Sequence, residues 1–171
     1  MSGLTVRGAG PGDRDAIQAV TLAAYQEYTA TIGAHWKGYR QNIIATLAAA
    51  VPGTQIVALD DDRVVGAVLL YPAGTSIEKP GGTTLTLTWP EVRLLAVAPS
   101  ARGRGVGAAL MNECIHRARS AGATALTLHT TDVMQAAMRL YGRLGFERVH
   151  DLDLEPAPGI IAKGYRLDLS L

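Results

Sequence analysis

The chain has 171 residues, 48% of them apolar and 18% charged, with a formal net charge of +1 and a single cysteine. That composition excludes a disordered or collagen-like chain, offers no net attraction to nucleic acid, and amounts to a single domain over residues 1–171 with enough chain to bury a core. One thiol cannot form an internal disulfide, the apolar run Val64–Tyr71 is far too short to cross a bilayer, and Met1–Arg7 lacks a basic-then-apolar leader, so a cytoplasmic protein with no membrane partner is expected.

Leu4–Arg7 alternates weakly, as a first strand would. Pro11-Gly12-Asp13 introduces a helix carrying Ile17, Val20, Ala24 and Tyr28 on one face. Gly33 interrupts it, and a second helix from about His35 to Ala50 carries Tyr39, Ile43, Ile44 and Leu47 until Pro52-Gly53 stops it. Thr54–Leu59 and Arg63–Tyr71 are strands joined by the tight polar turn Asp60-Asp61-Asp62. Consecutive turn carboxylates point in divergent directions, which speaks against a metal site there. Pro80-Gly81-Gly82 marks a loop, and Thr83–Thr88 alternates Leu with Thr in a pattern that could extend the next strand backwards across Pro90.

Glu91–Val97 is a short apolar run with an acid at its head, the pattern of a central strand, and Pro99 ends it. From Val106 the residues Leu110, Cys114, Ala118 and Ala121 recur at helical spacing, with Gly122 as the C-terminal cap. This face makes Cys114 core filler. Thr124–Thr130 is a further strand, Val133–Leu144 a helix closed by Gly145, and Phe146–Leu154 with Ile160–Leu169 a final antiparallel pair around Glu155–Gly159.

Between the Glu91 strand and the Val106 helix lies Arg102-Gly103-Arg104-Gly105-Val106-Gly107. Glycines at a helix start let backbone approach a ligand, and the uncapped N–H groups there sit at the positive end of a dipole worth roughly half a charge. Two arginines add donors shaped for phosphate oxygens. The segment is therefore an anion seat, the alternative being a flexible cationic turn that binds nothing. Gly103, Gly105 and Ala108 match a dinucleotide fingerprint formally, but that motif belongs in the first strand-to-helix turn of a doubly wound sheet with an acid about 20 residues on, and neither condition is met. A P-loop fails because no Gly-Lys-Ser/Thr follows.

Arg102-x-x-Gly105-x-Gly107, preceded by Leu94-Leu95-Ala96-Val97-Ala98-Pro99 and followed by Ala137-x-x-Leu140-Tyr141-x-x-x-Gly145-Phe146, resembles the signatures of the GNAT N-acetyltransferase superfamily. The resemblance implies an α/β chain of the α+β type: a mixed, mostly antiparallel sheet of six to seven strands, flanked by about four helices on both faces, with a splay between the fourth and fifth strands. It also implies acetyl-CoA as cosubstrate without a metal, a small-molecule primary amine as acceptor, and a homodimer through the final strands as one arrangement open to the chain. Acetylation of a protein N-terminus or lysine is the alternative within the class, and a non-catalytic acyl-CoA sensor is the alternative outside it.

Acyl transfer to an amine needs a neutral amine, a stabilised carbonyl oxygen and a protonated leaving thiolate. By resemblance Glu91, eleven residues before Arg102, is the general base, and Tyr141 is the general acid, its phenol protonated at neutral pH with an ordinary pKa of about 10. At the head of an apolar strand a carboxylate is expected to be shifted upward by desolvation; an ordinary solvated strand-end acid is the alternative. Resemblance assigns thioester and pantetheine contacts to the backbone of Leu95, Ala96 and Val97, and the diphosphate to the amides of Gly103, Arg104, Gly105, Val106, Gly107 and Ala108, with Arg102 contributing its backbone. Tyr25, Tyr28, Trp36 and Tyr39 fall where the family's helices border the acceptor pocket, and helix packing explains them equally well. His129 is a candidate acceptor-site or base-relay residue, whereas His35, His116 and His150 are surface groups with no metal-ligand spacing. Met134 stands where relatives carry Asn, leaving one polar contact to the cofactor unassigned.

Overall fold

The computed structural model describes residues 3–51, 54–79, 81–157 and 159–170, so the stops assigned to Pro52-Gly53 and Pro80 lie outside the described residues. Strand β1 (Leu4–Gly8) is followed by helices α1 (Arg14–Tyr25), α2 (Thr29–Ile32) and α3 (Trp36–Ala48). Then come β2 (Gln55–Asp60), β3 (Arg63–Tyr71), β4 (Ser76–Glu78), β5 (Thr84–Thr86), β6 (Glu91–Val97), α4 (Val106–Ser120), β7 (Ala125–Thr130), α5 (Gln135–Arg143), β8 (Glu147–Arg148), β9 (Leu154–Ala157) and β10 (Ile160–Asp168).

Eight strands form the main sheet in the order β1-β2-β3-β6-β7-β10-β8, with β9 on β10. Strands β6 and β7 run parallel, while the pairs β1–β2, β2–β3, β7–β10, β8–β10 and β9–β10 are antiparallel. The chain divides into two compact units, one comprising residues up to Leu69 with Leu94–Glu113, the other Leu70–Arg93 with the chain from Cys114 onward.

In the first unit Ile17, Val20 and Ala24 of α1 are buried at helical spacing, as are Ile43 and Leu47 of α3. Ile56–Leu59 and Val65–Leu69 are buried without alternation, which marks strands covered on both faces. Their connection is a two-residue turn in which Asp61 (φ 46°) and Asp62 (φ 65°) both take left-handed conformations. Tight hairpins ask for that twist, and Asp accepts it better than most residues, so the acidic triple is turn chemistry.

Three expectations change. Thr83–Thr88 does not extend β6: β5 pairs with β4 in a separate ribbon, Ile77 opposite Leu85, closed by Leu87 N donating to Thr75 O at 2.9 Å. Gly81 and Gly82, both at positive φ, reverse the chain, and Pro90 has no N–H to continue a ladder. Phe146–Leu154 is not one strand either. It holds the two residues of β8, then a 3-10 turn at His150–Leu152 before β9, which accounts for the larger strand number. Finally, the predicted long first helix stops at Tyr25 and resumes as α2, and Gly33 (φ 58°) separates α2 from α3.

Candidate active site

Strand β6 contributes Glu91–Arg93 to the second unit and Leu94–Val97 to the first. In the first unit the chain leaves β6 through a 3-10 turn at Pro99–Ala101 and enters α4 through Gly103 (φ 75°) and Gly105 (φ 79°). A Cβ built at either glycine meets nothing within 4 Å, so backbone conformation and not crowding demands glycine, and the space in front of the turn is open. Ala109 N donates to Gly105 O at 2.9 Å, closing the first turn of α4; the N–H groups of that turn have no intrahelical partner and face outward along the axis. Val106 and Leu110 are buried, pinning this end of the helix.

Gly66 on β3 permits that seating. A Cβ there would lie 2.8 Å from Val106 Cγ1, 2.9 Å from Leu110 Cδ1 and 3.1 Å from the Ala96 carbonyl oxygen. The sequence does carry a signal for it, a lone glycine inside a buried apolar run, which marks close backbone approach.

Both arginines of the seat are tied to acids of their own unit. Arg102 Nη1 pairs with Glu27 while its Nη2 donates to Ala24 O at 3.3 Å, and Arg104 Nη2 lies 2.8 Å from Asp60 Oδ2. The expected phosphate-directed guanidinium groups are therefore already partnered, and the fixed donors of the seat are backbone amides. In the middle of β6, Leu94 has φ 51°, a left-handed conformation that costs a leucine roughly 1–3 kcal/mol. Nothing in the sequence announces it. Beyond it Leu95 O accepts the Tyr25 hydroxyl at 3.3 Å, and Ala98 N donates to Val65 O at 2.8 Å. Ala96 is buried, Val97 half-buried. Tyr25 is itself buried and packs against Tyr28 and Tyr39 with ring centroids 6.0 and 6.1 Å away, while Trp36 lies 6.3 Å from Tyr39. Burial pushes the Tyr28 and Tyr39 phenols up to about 12.

The second unit holds a compact charged cluster. Parallel pairing sets Glu91 opposite Thr127 and Val92 opposite Leu128. Period-two alternation puts Glu91 and Arg93 of β6 on one face with Thr127 and His129 of β7. Glu91 is 1% exposed; its Oε1 lies 2.7 Å from His129 Nδ1 and its Oε2 accepts Arg93 Nε at 2.9 Å. The solvated strand-end acid is thus excluded, and the expected upward shift is overturned. Burial does push the carboxyl up, yet the hydrogen bond from His129 and the charges of Arg93 and His129 outweigh it, leaving it below the ordinary carboxylate value. Arg93 also lies over the Tyr71 ring at 5.7 Å.

His129 Nε2 lies 2.7 Å from Leu152 O, a partner that sequence spacing could not suggest. Tyr141 is buried on α5, its ring 5.8 Å from Phe146 in an edge-on arrangement. Met134 caps α5 without a side-chain hydrogen bond, while the buried hydroxyls of Thr130 and Thr131 just before it have no hydrogen-bond partner.

A cleft of about 310 Å³ in the first unit, lined by Ala16, Ala19, Val20, Arg63, Val65 and Ser100 among others, includes neither Glu91, His129 and Tyr141 nor Gly103–Ala108. Among the described residues no group of His, Cys, Asp and Glu could hold a metal ion, and no helix is long and apolar enough to cross a membrane.

Known proteins resemble this chain in sequence and in fold. A mycothiol acetyltransferase of Rhodococcus jostii (strain RHA1) is 40% identical over 60 residues, 35% of this chain and 20% of that protein. N-alpha-acetyltransferase 30 of Schizosaccharomyces pombe is 34% identical over 97 residues, 57% of this chain and 59% of that one. The chain thus spans from a fifth to about three fifths of the length of these two relatives. A GNAT family acetyltransferase from Brucella melitensis, solved with acetyl-CoA, shares the fold with a TM-score of 0.63 at 21% identity, covering 98% of this chain and 89% of that one. The model of the acetyltransferase (GNAT) family matches residues 20–146, and the chain belongs to that family.

Proposed function

We propose that this chain, working as a single domain, transfers an acetyl group from acetyl-CoA to the primary amine of a small molecule. One observation carries the proposal: a buried carboxylate held by Arg93 and His129 belongs to the strand that runs on in sequence to Leu95–Val97 and then to a glycine-built helix start. The open space before Gly103 and Gly105 suits a diphosphate, and amides from Gly103 to Ala108 would hold it. When bound, acetyl-CoA supplies the activated acyl carbon.

The residues divide the remaining work. Backbone groups of Leu95, Ala96 and Val97 orient the thioester and face charge developing on its oxygen. Glu91 takes the proton released by the amine. Both its oxygens are held and its side chain is closed to solvent, so the proton reaches it through an intervening water. Tyr141 gives its phenolic proton to the departing sulfur. Tyr28, Trp36 and Tyr39, with the ring of Tyr25 behind them, would border the acceptor.

Thiol release from acetyl-CoA against amino acids, polyamines, aminoglycosides and short peptides tests this directly. Glu91→Gln and Tyr141→Phe should each lose about 10²-fold or more in kcat/KM while calorimetry shows acetyl-CoA binding unchanged. Normal turnover by both variants with the true acceptor would remove their assigned roles, and no affinity for coenzyme A would remove the function itself. The similarity to an N-alpha-acetyltransferase supports a second reading, transfer to a protein N-terminus, which selective turnover of the peptides would establish.

A further inference from the structure

The cluster around Glu91 is closed from behind by a loop that neither signature motif reaches. On β10, Gly164 sits directly opposite His129, so the two positions project to the same face of the sheet. A Cβ at Gly164 would stand 2.4 Å from Leu152 Cβ, 3.0 Å from Leu152 C and 3.0 Å from Val149 O. The space a side chain would fill is thus occupied by the loop 149–153, and the loop's closeness to the sheet brings Leu152 O to 2.7 Å from His129 Nε2.

Several bonds hold the loop there. Asp153 receives both guanidinium arms of Arg148, at 2.5 and 2.6 Å, and its Oδ1 accepts Gly164 N at 2.9 Å. Val149 N donates to Gly164 O at 2.9 Å, and Arg148 Nη1 donates to the same oxygen at 3.2 Å. A bidentate Arg–carboxylate pair fixes direction as well as distance.

A carbonyl oxygen has no hydrogen to offer, so the 2.7 Å contact is a hydrogen bond only if Nε2 carries one. The Nδ1 contact to an ionised Glu91 makes the same demand on the other nitrogen. We infer that Gly164 and the Arg148–Asp153 clamp are positioning residues: by pressing the Leu152 carbonyl onto His129 they keep both ring nitrogens protonated, and so keep a cation on Glu91. The role rests on the acyl-transfer function proposed above. His129 is on this account a fixed donor and not a proton relay, which leaves the relay to water.

The charged and titratable groups around the ring are Glu91 and Arg93 on β6, Arg148 and Asp153 at the two ends of the loop, His150 and Asp151 within it, and on β10 Tyr165, against Arg148, and Lys163, paired with Asp132. Loosening the clamp removes His129's share of the opposition to burial at Glu91 while Arg93 stays, so its proton affinity rises.

The test reads His129 by ¹⁵N NMR, which needs no acceptor. In the folded protein at pH 7 both ring nitrogens should show protonated shifts. Asp153→Asn is nearly isosteric but puts an amide NH2 where one acceptor oxygen stood, so one Arg148 arm loses its partner and the loop is released; Gly164→Ala lifts the loop. In Asp153→Asn, Nε2 should lose its protonated signature, and the Glu91 carboxyl, followed by ¹³C NMR, should titrate about one pH unit higher than in the unmutated protein. Should Gly164→Ala fail to fold, Asp153→Asn decides alone. An unprotonated Nε2 in the unmutated protein, or an Asp153→Asn protein whose His129 signals stay unchanged, overturns the inference. Absence of coenzyme A binding with His129 doubly protonated would instead sink the acyl-transfer function and leave the positioning intact.

Discussion

The seat proposed in the first unit would be made of backbone, whereas the cluster in the second is made of side chains. Amides at the start of α4 need only a helix held in place, and Gly66 holds it by having no side chain. The cluster needs three ionisable groups at hydrogen-bond distance inside a buried face, and a second bare position, Gly164, lets a loop complete it. The two regions use one device, a strand glycine that lets a neighbouring element settle on the sheet. They differ in what a mutation costs. A backbone seat loses affinity by displacement, while a buried ion cluster loses stability outright, because whatever remains is an uncompensated charge.

The largest expected effect therefore lies at Glu91. Glu91→Gln leaves the His129 and Arg93 groups without their anion, and breaking such a buried pair costs about 3–5 kcal/mol at pH 7. The pH dependence has a definite sign. The folded-state carboxyl lies below its ordinary value, so its contribution is fully present above the ordinary carboxylate pKa and is lost as pH falls through the lowered one. Urea unfolding from pH 7 to pH 3 should show the gap between the two proteins narrowing below about pH 4. A gap that stays constant over this range would mean that Glu91 is not a paired anion in the folded chain.

That cluster also shows where sequence is informative. Glu91, His129 and Tyr141 are chemically conspicuous, and Glu91 and Tyr141 fall at spacings that the family signatures fix. The glycine-built start of α4 was legible from Gly103 and Gly105 ahead of an apolar helical pattern, both of which take positive φ. Three features were not. The left-handed Leu94 carries an ordinary strand residue, so no local preference marks it. The Leu152 carbonyl is a backbone group, available in principle at every position, and only the tertiary placement of the loop makes it particular. The sign of the shift at Glu91 depended on knowing which cations arrive from β7 and from two residues along β6, and a strand pattern reports burial only. Gly66 lies between these cases: its setting was visible, but what would settle on it was not.

Gly66→Ala tests the other side of the comparison and should have the next largest effect. Val106 and Leu110 can give way at their side-chain ends, but the Ala96 carbonyl at 3.1 Å belongs to β6 itself. Overpacking of this kind costs about 1–3 kcal/mol, and the displaced start of α4 should weaken coenzyme A binding by roughly tenfold. The informative combination is reduced affinity with the Glu91 pH signature retained, since the two regions are built separately. Loss of both together would show that they are one cooperative structure.

The smallest effect is expected from the arginines. If the seat is backbone, Arg102→Ala and Arg104→Ala remove charges already shared with Glu27 and Asp60 in exposed pairs, each worth about 0–1 kcal/mol. Stability should hardly change, and affinity for coenzyme A should fall by no more than about fivefold, with the loss shrinking further as salt rises because exposed charges are screened. Arg102 should matter slightly more than Arg104, because its second arm also donates to Ala24 O and so steadies the end of α1. Titrations of the single variants and the double variant at low and high ionic strength measure this. A drop of a hundredfold or more in the double variant at low salt, recovered in neither single, would move the seat from backbone to guanidinium groups that abandon their acidic partners when the anion arrives.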